Sequence, residues 1–327
     1  MVDNNQVFSV SSPLQGLKID TDIQLFDVHV HLHNKSFSEE FLTTLQKYNI
    51  THIQGITGPK VKKYFDRQQL SENVSFCYFL SIFDFLRYKT KKLVKQVHKA
   101  KELDFSSIKI FFGPRMWQFS RRKEYYKIND AKILPVYDAI AEHNFPVLIH
   151  VADPDLWYQR RYTNVNKYGT KEDRINDFID LLEMYPTIKW ISAHFGSLPE
   201  NLPKLGTLFD TYPNLYVDTG STKWMIRELG KNVTETKEFL ARYQDRVLWG
   251  SDIANRVGIR SSKSKREFYW YSRFWSHRLF WETPFEAPLA FKDSDNPEGT
   301  NIHGLDLPLN ILNKIYFTNA QKLLSKP

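Results

Sequence analysis

The stretch Phe26-Asp-Val-His-Val-His31 sets two imidazoles two residues apart inside an apolar, β-branched run. Alternate residues of a strand project to one face, so Asp27, His29 and His31 are expected to point together. Val28, Val30 and Leu32 are then expected to pack against helices. Two neutral imidazoles so placed can converge on one metal ion, and zinc suits them, with Zn–N distances of about 2.0–2.1 Å. Further metal-competent groups close later apolar runs: His150 after Val147-Leu-Ile149, His194 in 189–195 (KWISAHF) and Asp252 in 247–253 (VLWGSDI). A buried polar group at the end of an apolar strand is costly unless it is paired or metal-bound. One H-x-H motif arises readily by chance. Several such groups at equivalent strand ends are poorly explained as separately hydrogen-bonded histidines and a capping aspartate.

The elements that must position these residues alternate in kind. Short apolar runs at 23–30, 50–56, 74–82, 108–113, 146–152, 189–195, 215–219 and 247–253 read as strands buried on both faces, as in a parallel sheet covered by helices. Helical spacing lies between them. In 131–143, Ile133, Val136, Tyr137, Ile140 and Ala141 share a stripe, with Pro135 marking a helix start or a kink. In 173–185 the stripe is Ile175, Phe178, Ile179 and Leu182, and helices end ahead of Pro186 and Pro213. Eight strands and no Gly-rich first turn favour a closed (β/α)8 TIM barrel over an open doubly wound sheet, giving a single α/β domain over residues 1–327. Residues 1–22 read as an N-terminal extension. Two long segments after strands five and eight, 153–172 and 254–305, read as irregular polar and aromatic loops, the second a loop insertion. Residues 307–324 read as a C-terminal helix packed outside the barrel. The loops after barrel strands carry the chemistry, so the two long ones are expected to wall a pocket.

Composition narrows the setting. The 45 Lys and Arg against 37 Asp and Glu leave a net charge of +8, but the basic residues are scattered and the runs Arg121-Arg122-Lys123 and 260–266 (RSSKSKR) are short. No motif for reading bases or backbone accompanies them, so no nucleic-acid partner is expected. The single cysteine, Cys77, excludes an internal disulfide framework and reads as a small buried hydrophobe. No run approaches the roughly 18 apolar residues of a membrane helix, and the first residues lack a basic stretch followed by an apolar one. A cytoplasmic protein without a membrane partner is expected, or a periplasmic one if a signal peptide has been removed. Its partner would be a small-molecule substrate, and a homo-oligomer is compatible with all of this.

The order His-x-His, His, His, Asp on strands one, five, six and eight resembles the amidohydrolase superfamily, and its texture resembles the amidohydrolase-2 branch of hydrolases and nonoxidative decarboxylases. The matching pieces are Phe26 to His31, Val147-Leu-Ile-His-Val-Ala-Asp-Pro154, Ser192-Ala-His-Phe-Gly196, Asn214-Leu-Tyr-Val-Asp218, Leu248-Trp-Gly-Ser-Asp252 and Asn319-Ala-Gln-Lys-Leu323. They run from about residue 24 to 324. The resemblance implies that His29, His31 and His150 are metal ligands, with Asp252 a fourth ligand or a neighbour of the metal-bound water. That water would be acidified toward neutrality, Asp252 would move its proton, and His194 would polarise a carbonyl or bind a second metal. Lys109 falls where some members carry a carboxylated, metal-bridging lysine; the plainer expectation is a lysine bonding a carboxylate or the substrate, hence one catalytic metal. Zinc is the expected ion, with manganese or another divalent ion as alternatives.

Other residues carry weaker signals. Asp153 is expected to brace a loop, Asp218 to contact substrate or a ligand, His33 to face a loop, and His52 to lie in the core or behind a ligand. Arg115, Trp117, Trp157, Tyr158 and Arg161 could line a pocket suited to an aromatic or carboxylate-bearing substrate. The leading functional expectation is a metal-dependent hydrolase of an ester, lactone or amide. The alternative is a nonoxidative decarboxylase of an aromatic or enoic acid, and the third reading a non-catalytic binding protein on the same fold.

Overall fold

The computed structural model describes residues 23–33, 38–121, 124–255 and 261–324. The N-terminal extension 1–22, residues 122–123 of one basic run and residue 260 of the other lie outside them.

The apolar runs form parallel strands β1 (Leu25–His31), β2 (Ile50–Thr57), β3 (Val74–Phe79), β4 (Ser107–Phe111), β5 (Val147–His150), β6 (Trp190–Ser192), β7 (Leu215–Asp218), β8 (Val247–Leu248) and β9 (Ile253–Ala254). Their order is β8-β7-β6-β5-β4-β3-β2-β1-β9. The expected eighth strand is thus two pieces, β8 on β7 and β9 on β1. Asp252 between them has φ +56°, the left-handed region, which breaks the ladder. Backbone bonds bridge the gap: Val28 N–H donates to the Trp249 carbonyl (3.1 Å), Asp252 N–H to that of His29 (2.9 Å) and Asn255 N–H to that of His31 (3.0 Å). The eighth strand therefore joins the first, and the fold is the expected (β/α)8 barrel.

Inside it, Phe26, Val28, Ile56, Cys77, Leu148, Ile191 and Leu248 form one apolar cluster with Ala320, Leu323 and Leu324. Two expectations change here. The β1–β2 register shifts between Asp27 and Val30, and Val28 joins the interior cluster while Val30 and Leu32 pack with the helix layer. The C-terminal run is helix Leu309–Asn313, a π turn Lys314–Thr318 and helix Asn319–Leu324. Its last turn does not pack outside: it plugs the apolar end of the barrel. Asn319 anchors it, donating from Nδ2 to the carbonyls of Gln244 (2.7 Å) and Val247 (2.8 Å).

Helix Leu134–Glu142 begins with its proline in the first turn, and helix Lys171–Met184 starts at a Thr170/Asp173 capping box, which satisfies two otherwise orphaned N–H groups. The insertion 254–305 is far more regular than its composition suggests. It contains the 20-residue helix Lys263–Glu282 and a hairpin of β10 (Glu286–Pro288) with β11 (Asn301–His303). Trp270, Phe274, His277 and Trp281, spaced four, three and four apart, are all buried along that helix. The 153–172 segment likewise holds two short helices, Asp155–Arg160 and Val165–Tyr168. No helix among the described residues is long and apolar enough to cross a membrane.

Candidate metal centre

The strand ends at the open mouth of the barrel bring His29, His31, Lys109, His150, His194 and Asp252 to one cavity of about 360 Å³. His29 and His31 leave β1 two residues apart and meet over Asp252, whose left-handed backbone turns its carboxylate back toward them. Asp252 Oδ1 lies 3.3 Å from His29 Nε2 and 3.1 Å from His31 Nε2. Their ligand atoms all fall within 4.8 Å of one another. Ligands about 2.0–2.2 Å from a tetrahedral ion are roughly 3.3–3.5 Å apart, so the spacing suits one divalent cation.

Asp218 supports this cluster from beneath. Its Oδ2 is 2.8 Å from His29 Nδ1, which fixes that nitrogen as the N–H and leaves Nε2 free to coordinate. Its Oδ1 accepts the backbone N–H of His194 (3.0 Å) and of Gly220 (2.8 Å). Burial would raise the Asp218 carboxyl, but His29, His194 and Lys109 outweigh it and hold Asp218 well below the ordinary carboxylate range. Asp252 shifts in the same direction: burial opposes ionisation, and His29, His31 and His194 overcome it. At His29 burial, with Lys109 beside it, lowers the pKa against the opposing pull of Asp218 and Asp252. Gly220 has no alternative here, since a Cβ would stand 2.8 Å from Asp218 Oδ1 and 3.1 Å from both His194 Nδ1 and His29 Nδ1.

His194 follows β6 at φ +57° and is buried, and desolvation lowers its pKa to about 3 against the pull of Asp252 and Asp218. Its Nε2 lies 3.0 Å from His150 Nδ1, and its Nδ1 has no hydrogen-bond partner among the described residues; neither has His31 Nδ1. His150 Nε2 sits 3.0 Å from Asp153 Oδ1, and Asp153 Oδ2 accepts from the Tyr162 hydroxyl (2.9 Å). His150 is therefore in the cavity but turned to Asp153 and His194, outside the His29–His31–Asp252 group. Lys109 Nζ stands 3.4 Å from His29 Nε2; burial lowers its pKa, against the pull of Asp218 and Asp252.

Of the weaker candidates, Asp153, Arg115, Trp157 and Arg161 line the cavity, while Trp117 is buried in the core and Tyr158 is not part of the lining. Asp27 turns to the backbone instead of joining the imidazoles: it accepts from Ser251 N–H (3.0 Å) and His29 N–H (3.1 Å), tying β1 to the turn before Asp252. His33 lies two residues beyond β1 with its ring stacked on His31 at 5.3 Å, and His52 lies at the opposite end, against Phe26 and Phe317. Lys223 and Trp224 after β7, and Ser294 and Asp295 from the insertion, complete the wall. Their only sequence signal was position: they follow a strand end, or belong to a segment that does.

The amidohydrolase model of the amidohydrolase-2 group matches residues 88–326, and this chain belongs to that family of metal-dependent enzymes. No curated protein matches the chain. Among solved structures it is similar to an amidohydrolase II (16% identity, TM-score 0.53, 93% of this chain and 100% of that one). A putative amidohydrolase from Staphylococcus aureus is similar too (14%, TM-score 0.50, 92% and 99%). A 5-carboxyvanillate decarboxylase from Novosphingobium aromaticivorans, complexed with manganese and a nitrobenzoic acid, gives 12% and 0.49 over 93% and 97%. At these identities the likeness is one of fold.

Proposed function

We propose that this chain is a metal-dependent lyase that removes carbon dioxide from a small aromatic or enoic acid. The observation that supports this reading is the charge of the cavity. Four basic side chains, Lys109, Arg115, Arg161 and Lys223, line it among the carboxylates of Asp153, Asp252 and Asp295, so an anionic substrate would meet cations on several sides of the ion. A free carboxylate is obligatory in a decarboxylase substrate and incidental in an ester or amide. The rings of Phe111, Trp157 and Trp224 add flat walls, and a volume of about 360 Å³ is at the small end of ligand sites, which span roughly 300–1,000 Å³.

His29, His31 and Asp252 would hold the ion, zinc or manganese being suited to two imidazoles and a carboxylate. His150 would join them on exchanging Asp153 for the ion. A bound divalent ion supplies Lewis acidity, neutralising and orienting the oxygens of the acid. The chain's own groups handle the proton. Asp252 starts ionised, so to protonate carbon it must first collect a proton from the substrate, which favours an acid with a neighbouring hydroxyl. That proton passes to the carbon bearing the carboxylate. The carbon–carbon bond then breaks, its electron pair stays on the substrate and carbon dioxide departs. Lys109 and His194 flank the reacting group, the first as a cation for oxygen, the second as a neutral partner.

Hydrolysis is the second reading, and one observation favours it: Asp252 is ionised and 27% exposed, able to take a proton from water. A panel of hydroxybenzoates, esters and lactones in ¹⁸O-labelled water separates the two. Decarboxylation gives stoichiometric carbon dioxide and no label in the product; label in the product with no gas would replace this proposal by hydrolysis.

A further inference from the structure

Among the described residues, the insertion 254–305 reaches the cavity at one turn, Ser294–Asp295, and that turn is tied down by charge. Arg161, which follows the Asp155–Arg160 helix, donates to Asp295 Oδ1 at 2.7 Å, and its guanidinium lies over Trp157 at 4.1 Å. Lys223, just after β7, donates to Asp295 Oδ2 (3.1 Å) and to the Ser294 hydroxyl (2.9 Å). Asp295 is almost wholly buried, with its N–H on Asp293 Oδ1 at 3.0 Å. Two cations from different barrel loops thus converge on one carboxylate at the cavity wall, and all three side chains line the same space as His29, His31 and Asp252.

We infer that Arg161 and Lys223 form a second anion subsite whose resting occupant is Asp295, so that the preferred substrate is a dianion. One carboxylate would face the metal ligands, and a second anionic group would share or displace Asp295 on the Arg161–Lys223 pair. The inference rests on the carboxylate reading of the site and adds the second charge to it. Arg161 suits the task because a planar guanidinium held over an indole face keeps its fork of donors in one orientation, matching a carboxylate. Lys223 is 27% exposed and Arg161 43%, so both are open to a ligand, whereas Asp295 is enclosed.

The test is calorimetric binding of isophthalate and benzoate to the metal-loaded enzyme, so that no turnover is needed. Isophthalate should bind roughly tenfold more tightly than benzoate, as expected for one added charge-assisted contact. Arg161→Met and Lys223→Met should each erase that advantage, read as the ratio of isophthalate to benzoate affinity in the same variant. Asp295→Asn, which removes the carboxylate shared by Arg161 and Lys223 and leaves Lys223 a single carboxylate, Asp293 Oδ1 at 3.3 Å, should enlarge it, with thermal melting as the check on folding. Equal binding of the two acids, or an advantage that survives both methionine variants, overturns the subsite. Failure of both acids to bind protein that holds its ion overturns the carboxylate reading beneath it.

Discussion

The barrel interior has two ends that obey opposite rules. At the end closed by the C-terminal helix, Phe26, Cys77, Leu148, Ile191 and Leu248 meet Leu323 and Leu324 in one apolar cluster. At the open end β1, β4, β5 and β7 carry His29, Lys109, His150 and Asp218, all buried; His29 meets Asp218 and Lys109, and His150 meets His194. A few residues along each strand separate an apolar core from a site rich in ionisable groups. The lesson is that one element serves stability at one end and chemistry at the other, and substitutions at the two ends should fail in different ways.

The largest effect is expected at Asp252. Asp252→Asn keeps the shape and one oxygen ligand but loses the proton carrier, so turnover should fall by roughly 10²–10⁴ while melting temperature and metal content change little. Steady-state kinetics with metal analysis checks this, and near-normal turnover would remove the proton role. Asp218→Asn leaves the ligands in place but weakens the fixing of the His29 ring, so metal affinity should fall by about 10–100-fold in competition with a chelator. At the opposite end, Leu323→Ala should cost about 2–5 kcal/mol in denaturant unfolding and leave the metal content of the folded protein untouched. If Leu323→Ala lowered metal affinity as Asp218→Asn does, the separation of the two ends would be lost.

Much of this division is visible in the amino-acid sequence. Continuous apolar runs announce buried parallel strands, and His150, His194 and Asp252 mark their functional ends because an unpaired polar group there would be too costly. What stayed hidden depends on three-dimensional closure. Nothing in Trp249-Gly-Ser-Asp252 says that Asp252 takes a left-handed conformation and splits the strand, since aspartate there also suits an ordinary strand end. The helix Lys263–Glu282 was missed because its aromatic residues have middling helix propensity and its stripe emerges only against the barrel wall. The plugging role of Leu323 and Leu324 is no different in pattern from that of any amphipathic surface helix. The turn of His150 toward Asp153 follows from a local i, i+3 pairing that the resemblance did not convey.

The smallest expected effect concerns His277, buried on that helix with its Nδ1 accepting from Trp281 Nε1 (3.1 Å). Desolvation lowers its pKa from 6.5 to about 3. The folded protein therefore holds it neutral where the unfolded chain would bind a proton. Its contribution is complete above about pH 6.5 and is lost as pH falls from there toward 3. His277→Gln should flatten the fall of stability in that window, measured as unfolding free energy against pH. An unchanged slope would show that other groups govern the acid limb.

The central claim is that His29, His31 and Asp252 hold a divalent ion. Metal-free protein titrated with zinc or manganese should take up about one tightly bound equivalent, and folded His29→Ala should take up none. Wild-type protein that stays metal-free, or His29→Ala that binds as well as wild type, would contradict it.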